Sequence, residues 1–207
     1  MTTAAITDPK LNQASGQNRP SIPNGVLGMI IFIVTETMFF LGFISAFSIV
    51  KSTAVSWPPP DQPRLPWEAT ALNSLALLAS GLLIFLANRQ FKAMNHDKAK
   101  KLFLFSFALG TFFICYQGYE WTKLVGYGLT MQSSQYGSFF YLIIGAHALH
   151  AIAALVLMAR LALKSAGKTM PSESFFTVQV FWYFVVGIWP VLYLLVYDPV
   201  KEILGGT

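Results

Sequence analysis

Four ionisable side chains lie inside segments that are otherwise apolar, and these residues are the best placed in the sequence to do chemistry. They are Glu36, Glu120, His147 and His150. A charged side chain near the centre of a bilayer costs about 2.5–3.5 kcal/mol on insertion scales, so residues of this kind usually mark functional sites. Carboxylates and imidazoles can transfer protons or ligate metals and haem, so each of these chemistries has to be weighed.

Glu36 stands in the stretch VTETMFFLGF, residues 34–43, and no Lys or Arg lies within an apolar run to pair with it. We therefore expect its carboxyl to be protonated or hydrogen-bonded to Thr35, Thr37, water or a histidine on another helix. Phenylalanines at helical spacing share its face: Phe32, Phe39, Phe40 and Phe43. Two interpretations stay open, a proton-handling or lipid-contacting site and a neutral acid buried for helix packing.

His147 and His150 are three residues apart, so a helix points them to nearly the same face. One helix cannot place both imidazoles on opposite sides of one haem, and the remaining histidine, His96, lies in a hydrophilic segment. A metal site would need more ligands than these. Hydrogen bonds to carboxylates or lipid phosphate are the expected role. Glu120 lies near the membrane interface, where it can be hydrated or pair with these histidines.

The elements that must position these residues are membrane helices. Only 11% of the 207 residues are charged, against about 25% in soluble domains. Five apolar runs are each long enough to cross a bilayer, which takes about 20 helical residues: residues 26–50, 70–88, 102–121, 137–159 and 175–197. The predicted fold is an all-α membrane protein, a five-transmembrane-helix bundle at 25–200, with a polar N-terminal tail at 1–24 and a short C-terminal tail at 201–207.

Basic residues predict the orientation of this bundle. Ten of the 14 Lys and Arg residues lie in the N-terminal tail and in the connections after the second and fourth runs, and four lie on the opposite side. The positive-inside rule therefore predicts a cytoplasmic N-terminus and a periplasmic C-terminus. This distribution also explains the net charge of +5 without nucleic acid as a partner.

The connections predict further structure. A proline-rich segment joins the first two runs, with Trp57 and Trp67 near its ends, and should form a stiff extended loop at the interface. The basic connection at 88–101 should be a short loop that makes spans two and three antiparallel neighbours, and 123–136 should be a flexible loop. The candidate interfacial or packing tryptophans are Trp57, Trp67, Trp121, Trp182 and Trp189. We expect the single cysteine, Cys115, to serve packing.

Several short motifs follow one another in an order that resembles subunit III of the haem-copper terminal oxidases, in its short five-helix form. The motifs are Thr35-Glu36-Thr37-Met38-Phe39-Phe40, Trp57-Pro-Pro-Pro60, Leu72-Asn73-Ser74-Leu75 with Ser80-Gly81, Gln117-x-x-Glu120-Trp121, Tyr136-Gly137-Ser138-Phe139-Phe140 and Gly145-x-His147-x-x-His150. Two positions depart from the family pattern, because Tyr183 replaces a histidine and Val186 replaces an aspartate. Any lipid or proton contact made by those two polar groups in the family is therefore in doubt here. Pro190, which follows, should kink span five.

The resemblance implies a non-catalytic core subunit of a proton-pumping oxidase in a bacterial inner membrane, a complex that reduces oxygen to water with cytochrome c as the expected electron donor. Haem and copper would be held by partner subunits, and this chain would bind no cofactor but phospholipid. It would dock on subunit I, with subunit II and a small subunit IV as further candidates in the complex. Phospholipids would lie in a cleft between the first two helices and the other three. Glu36 would be the glutamate of that cleft, and Glu120, His147 and His150 its other polar positions.

Three alternatives stay open at this stage. A quinol oxidase or nitric oxide reductase could contain a similar subunit, since the electron-donor site lies elsewhere. A small proton-coupled transporter could use Glu36 as its proton site, which predicts a discontinuous helix near the glutamate. A haem-binding membrane anchor predicts a Soret band on the purified chain.

Overall fold

Five long helices build the protein, as a computed structural model shows for residues 24–60, 62–167 and 169–198. They are α1 (Asn24–Thr53), α2 (Trp67–Lys92), α3 (His96–Gly126), α4 (Gln135–Lys164) and α5 (Ser172–Leu192), and α5 continues into a π-helical turn, Tyr193–Tyr197. Each of the five is long and apolar enough to cross a membrane, and the described residues contain no strand. The prediction of a five-helix membrane bundle is confirmed. The two predicted tails lie outside the described residues, apart from Asn24.

The helices are longer than the apolar runs, so the predicted loops are too long. Between α2 and α3 only residues 93–95 are non-helical, which contradicts the loop predicted at 88–101. Two local features make so tight a turn possible. Met94 adopts a left-handed backbone conformation with φ of 60°, and the Asn95 side chain accepts a hydrogen bond of 3.3 Å from the Lys98 backbone N–H, capping α3.

The connection between α3 and α4 is likewise shorter than the predicted segment 123–136. α3 extends to Gly126, and α4 begins at Gln135. Gly128 follows the end of α3 with a positive φ of 89°, which glycine adopts more readily than residues with a side chain. The Ser134 hydroxyl caps α4 by accepting from the Gly137 N–H at 3.1 Å.

Spans two and three are antiparallel neighbours, as predicted, and form the most extensive helix pair of the bundle. α5 packs on α1, α2 and α4, so it occupies the central position. α1 packs on α5 and α4 but makes little contact with α2. The expected division into two helices against three, with a cleft between, is therefore wrong for this chain, because α1 and α2 each pack on the other helices rather than on each other.

Two indole groups fasten α5 to α2. Trp182 Nε1–H donates to Ser80 Oγ at 3.1 Å, and Trp189 Nε1–H donates to Ser74 Oγ at 2.8 Å. Both tryptophans are fully buried. Each serine hydroxyl donates in turn to a carbonyl of its own helix, so the indole donors and the hydroxyls are satisfied inside a low-dielectric core, where unpaired polar groups are costly.

Close contacts in this core require glycine at two positions. A Cβ on Gly110 of α3 would lie 2.5 Å from the Trp182 ring, and one on Gly81 of α2 would lie 2.8 Å from Val186. Glycine therefore lets the indole and the valine of α5 pack directly against the neighbouring backbones. Pro190 lies inside α5, and the α-helix changes to a π-helical turn at Tyr193.

Candidate functional site

Glu36 and His150 meet at the interface between α1 and α4. Glu36 Oε2 lies 3.0 Å from His150 Nε2, and both side chains are largely covered, with 19% and 12% of their surface exposed. Each residue lies near the middle of its helix. Of the partners considered for the carboxyl group, the geometry thus selects a histidine on another helix.

The hydrogen bonds at the other end of the imidazole determine how many protons the pair holds. His150 Nδ1 lies 2.7 Å from the carbonyl oxygen of Ala146, and a carbonyl can only accept, so Nδ1 carries a proton. The contact between Nε2 and the carboxylate then requires one further proton between the two atoms. The pair is therefore either imidazolium with carboxylate or neutral histidine with carboxylic acid, and in both states its net charge is zero.

Four phenylalanines surround the imidazole of His150. Ring centroids lie 5.5 Å away for Phe40, 6.1 Å for Phe184, 6.3 Å for Phe32 and 6.4 Å for Phe181. Phe32 and Phe40 belong to the predicted aromatic face of α1, while the other two come from α5. The rings limit access of water to the pair and, where a face is presented, favour a positive imidazole.

The two threonines that flank Glu36 do not bond to it. Thr35 donates to the Ile31 carbonyl at 3.2 Å and Thr37 to the Ile33 carbonyl at 2.8 Å. Such bonds to the preceding helical turn are the usual choice of hydroxyls in membrane helices. Two of the partners considered for Glu36 are thereby used elsewhere.

His147 has different surroundings from His150, although the two were expected to share one face. Its side chain is 1% exposed and lies against the Trp189 indole, with ring centroids 4.9 Å apart. Among the described residues, neither ring nitrogen of His147 has a hydrogen-bond partner. The two histidines thus occupy separate sites, one on the α1 side of α4 and one facing α3 and α5.

Glu120 is buried, at 5% exposure, rather than hydrated. Its Oε1 accepts a hydrogen bond from Lys123 Nζ at 3.1 Å, one turn further along α3. The pairing with a histidine of α4, considered from the sequence, does not form. The i, i+3 spacing of Glu120 and Lys123 could have indicated this ion pair. Cys115, expected to serve packing, is exposed on the outside of the helix.

A buried amide network near Glu120 was not predicted, although Asn73 and Gln117 belong to the motifs that resemble the family. Gln117 Nε2 donates to the Tyr197 hydroxyl at 2.9 Å, and Gln117 Oε1 accepts from Asn73 Nδ2 at 3.4 Å. Asn73 also donates to the Phe113 carbonyl at 3.1 Å. The network joins α2, α3 and the π-helical turn, and only the fold brings these polar residues together.

The remaining tryptophans lie near the end of the bundle where α3 ends and α4 begins. The Trp57 ring packs on the rings of Phe47 and Tyr136, with centroids 5.5 and 5.3 Å apart. The Trp67 carbonyl accepts from the Tyr193 hydroxyl at 2.9 Å. Trp121 contacts the rings of Phe140 and Tyr141 at 6.3 and 5.8 Å.

The two departures from the family pattern have clear structural settings. The Tyr183 hydroxyl accepts from Gln179 Nε2 at 2.8 Å, one turn earlier on α5. Val186 is buried against Gly81 of α2. A residue at position 186 therefore packs between two helices, where an apolar side chain fits and a carboxylate would be desolvated.

The described residues contain no group of three or more His, Cys, Asp or Glu side chains arranged to hold a metal ion. The family model described as cytochrome c oxidase subunit III matches residues 10–199. The chain belongs to the cytochrome c oxidase subunit III family. This assignment makes it a haem-copper oxidase subunit III, as the resemblance predicted.

Individual relatives agree with the assignment. The probable cytochrome c oxidase subunit 3 of Mycobacterium tuberculosis is 31% identical over 186 residues, which cover 87% of this chain and 89% of the relative. Cytochrome c oxidase subunit 3 of Pelomedusa subrufa is 33% identical over 192 residues, covering 88% and 72%. The Synechocystis protein of the same name is 31% identical over 176 residues, covering 83% and 74%.

Proposed function

We propose that this chain is a non-catalytic core subunit of a proton-pumping cytochrome c oxidase, which docks on subunit I and sustains its turnover. The subunit III family membership supports a place in an oxidase complex. The observation that carries the specific role is the Glu36–His150 pair, a proton-holding unit of zero net charge between two membrane helices. Haem and copper belong to the partner subunits in this proposal, and subunits II and IV complete the complex.

The state of His150 supports a role in proton handling rather than ligation. Both of its ring nitrogens are engaged, one by the Ala146 carbonyl and one by Glu36. A haem or metal would have to displace one of these bonds. The shared proton can move between Glu36 and His150 without changing the net charge of the pair. The pair can therefore polarise neighbouring groups without placing a net charge inside the membrane. Through this property the pair would help to keep proton uptake by subunit I competent.

We further propose that the chain binds phospholipid in a groove of about 330 Å³ at one end of α1, α4 and α5. Leu157, Leu161 and Val178 supply hydrocarbon walls, while Arg160 and Lys164 lie at the membrane end of α4. Glu173 also lines the groove, and its carboxylate accepts a hydrogen bond from the Gly25 N–H at 3.3 Å. The described lining therefore has two cationic side chains and one acidic side chain. Two cations above an apolar wall suit a phosphate headgroup with its acyl chains.

Location and orientation complete the proposal. A multi-pass protein of a bacterial inner membrane, with its N-terminus in the cytoplasm, follows from the excess of basic residues in the tail and in the connections after α2 and α4. The Mycobacterium and Synechocystis relatives support a bacterial setting. The groove with Arg160 and Lys164 would then face the cytoplasmic leaflet.

The transporter hypothesis has no support from α1. It predicts a break near Glu36, whereas α1 is a continuous α-helix from Asn24 to Thr53. No observation favours a quinol oxidase or a nitric oxide reductase over a cytochrome c oxidase, so neither is proposed.

Co-purification tests the proposal. A tagged copy of the full chain, expressed in its own host and extracted in mild detergent, should bring down a haem-copper subunit, with haem bands in the visible spectrum and oxygen consumption on addition of reduced cytochrome c. The same tag on an unrelated five-helix membrane protein is the control. Recovery of the chain without any haem-containing partner would contradict the proposal.

A further inference from the structure

An ion pair joins the end of α1 to the residue that follows the π-helical turn. Lys51 Nζ lies 2.6 Å from Asp198 Oδ2, with 27% and 32% of the two side chains exposed. Lys51 Nζ also lies 5.9 Å from the ring centroid of Phe47, which is buried. Fully exposed ion pairs contribute little to stability, but this one is short and largely covered on both sides. It is therefore a specific contact between α1 and the rest of the bundle.

The π-helical turn holds Asp198 in place. The Tyr193 hydroxyl donates to the Trp67 carbonyl at 2.9 Å, and the Tyr197 hydroxyl accepts from Gln117 Nε2 at 2.9 Å. Tyr197, directly before Asp198, is buried. The turn is thus fastened to α2 and α3. Asp198 therefore presents its carboxylate to α1 from a position that the other helices determine.

The apolar packing of α1 sets its axial position only weakly. Of the 30 residues of this helix, Phe40 and Phe47 are the buried ones. The residues that are at least partly covered form one stripe, and most are apolar: Val26, Met29, Ile33, Glu36, Phe40, Phe43, Ile44, Phe47, Val50 and Lys51. A shift along such a stripe exchanges one apolar contact for another, and lipid offers no hydrophobic penalty for the exchange. Polar contacts have one correct register, as a single polar residue has in a coiled coil.

We propose that Lys51 and Asp198 are positioning residues for the Glu36–His150 pair, because their ion pair sets the axial position of α1. Lys51 lies 15 positions after Glu36, which is about 22 Å along an α-helix. Two polar contacts at this separation fix both the height and the tilt of the helix. A shift of one helical turn, about 5.4 Å, would carry Glu36 out of hydrogen-bonding distance of His150. This role concerns the geometry of the pair and does not depend on the oxidase role proposed above.

A distance measurement within the Glu36–His150 pair tests this role. The full chain, labelled with ¹³C at the glutamate carboxyl carbon and with ¹⁵N-histidine, would be reconstituted in phosphatidylcholine vesicles and studied by solid-state NMR. Dipolar dephasing between Glu36 Cδ and His150 Nε2 reports whether the two groups are in contact. His147, which lies against Trp189, is the internal reference. Strong dephasing at His150 is expected in the unmodified chain.

Charge variants of the ion pair give the decisive comparison. Lys51→Glu places a second carboxylate against Asp198, so α1 should shift and the dephasing at His150 should fall several-fold. Lys51→Gln, which removes the cation without adding repulsion, should give a smaller fall, and Lys51→Arg should give none. Lys51→Glu/Asp198→Asn should recover most of the dephasing. Asparagine tolerates the left-handed backbone at this position, where φ is 45°, and its amide can donate to the introduced carboxylate.

A matched control changes a different ion pair. Lys123→Glu reverses the charge of the lysine that pairs with Glu120 on α3, and should leave the dephasing at His150 unchanged. Unchanged dephasing in Lys51→Glu, with or without a lower melting temperature, would overturn the proposal, since the ion pair would then serve stability alone. A double variant as low as Lys51→Glu, or an equal fall in Lys123→Glu, would overturn it as well. None of these results affects the co-purification test of the oxidase role.

Discussion

Glu36 of α1 and His150 of α4 share a hydrogen bond of 3.0 Å at a depth where an isolated charge would be expensive. Because Nδ1 of the imidazole donates to the Ala146 carbonyl, the contact with Glu36 contains one proton, and the pair stays neutral wherever that proton resides. The cost that an acid imposes on a lone membrane helix is thereby removed by its partner. The pair also gives α1, the helix with the fewest buried residues, a specific contact with the bundle.

Removal of the Glu36 carboxyl group should destabilise the bundle through the histidine. Glu36→Ala leaves His150 Nε2 unpaired at a largely covered site, which costs roughly 1–3 kcal/mol. Thermal unfolding of the purified subunit or complex, in one detergent, measures the loss. The double variant Glu36→Ala/His150→Phe should recover part of it, since no unpaired ring nitrogen remains. If the loss in the double variant equals the sum of the losses in Glu36→Ala and His150→Phe alone, the two residues are not coupled.

Gly110→Ala should disturb the contact between α3 and α5. The added Cβ would lie 2.5 Å from the buried Trp182 ring, and overpacking of this kind costs about 1–3 kcal/mol. Gly118→Ala, on the same helix, is the matched control, because its Cβ meets nothing within 4 Å and alanine has the higher helix propensity. Equal melting temperatures for the two variants would refute the packing described for Trp182.

Val186→Asp should be tolerated poorly, although it restores the residue type of the family pattern. Val186 is buried against Gly81 of α2, so a carboxylate there would lose its hydration without a built partner, at a cost of about 2.5–3.5 kcal/mol or more. Tyr183→His is the control, because Tyr183 is only partly buried and an imidazole can still bond Gln179. Expression level and melting temperature give the comparison. A stable Val186→Asp protein would show that the site is wet or retains a polar partner.

Phospholipid retention should depend on the two cations of the α4 groove. Arg160→Gln/Lys164→Gln removes the positive charge and leaves the apolar walls, so purified protein should carry less anionic phospholipid, measured by mass spectrometry of extracted lipid. Lys98→Gln/Lys101→Gln, at two exposed positions of α3 outside this groove, is a matched control of equal charge change. Equal lipid content in both variants would argue against a specific headgroup site.

The sequence was sufficient to predict the five spans, because continuous apolar runs are a strong signal for membrane helices. It did not indicate where the helices end, since Asn95 and Ser134 extend helix geometry into polar segments through their caps. The partner of Glu36 was one of several candidates, and the choice depended on which face of α4 meets α1. Val186 illustrates the same limit, because its role follows from Gly81, a residue about a hundred positions away in the chain.

Glu120 and His147 show a further limit of sequence patterns. Both were grouped with the other intramembrane polar residues, but Glu120 pairs with Lys123 on its own helix, and His147 lies apart from His150 against Trp189. Residue type indicated that these positions are unusual. Only the packing of α3, α4 and α5 shows that they form separate sites.

The most direct test of the proposed role is the working life of the oxidase with Glu36→Gln. An amide of the same shape can keep a hydrogen bond to His150 but cannot share a proton with it as a carboxyl group does. The complex should therefore assemble with normal haem content and normal initial oxygen consumption, but lose activity after several-fold fewer turnovers. Glu68→Gln, the same change at an exposed position of α2, should behave like the unmodified protein. If the Glu36→Gln oxidase completes as many turnovers before inactivation as the unmodified oxidase and retains as much phospholipid, the proposed role of Glu36 is contradicted.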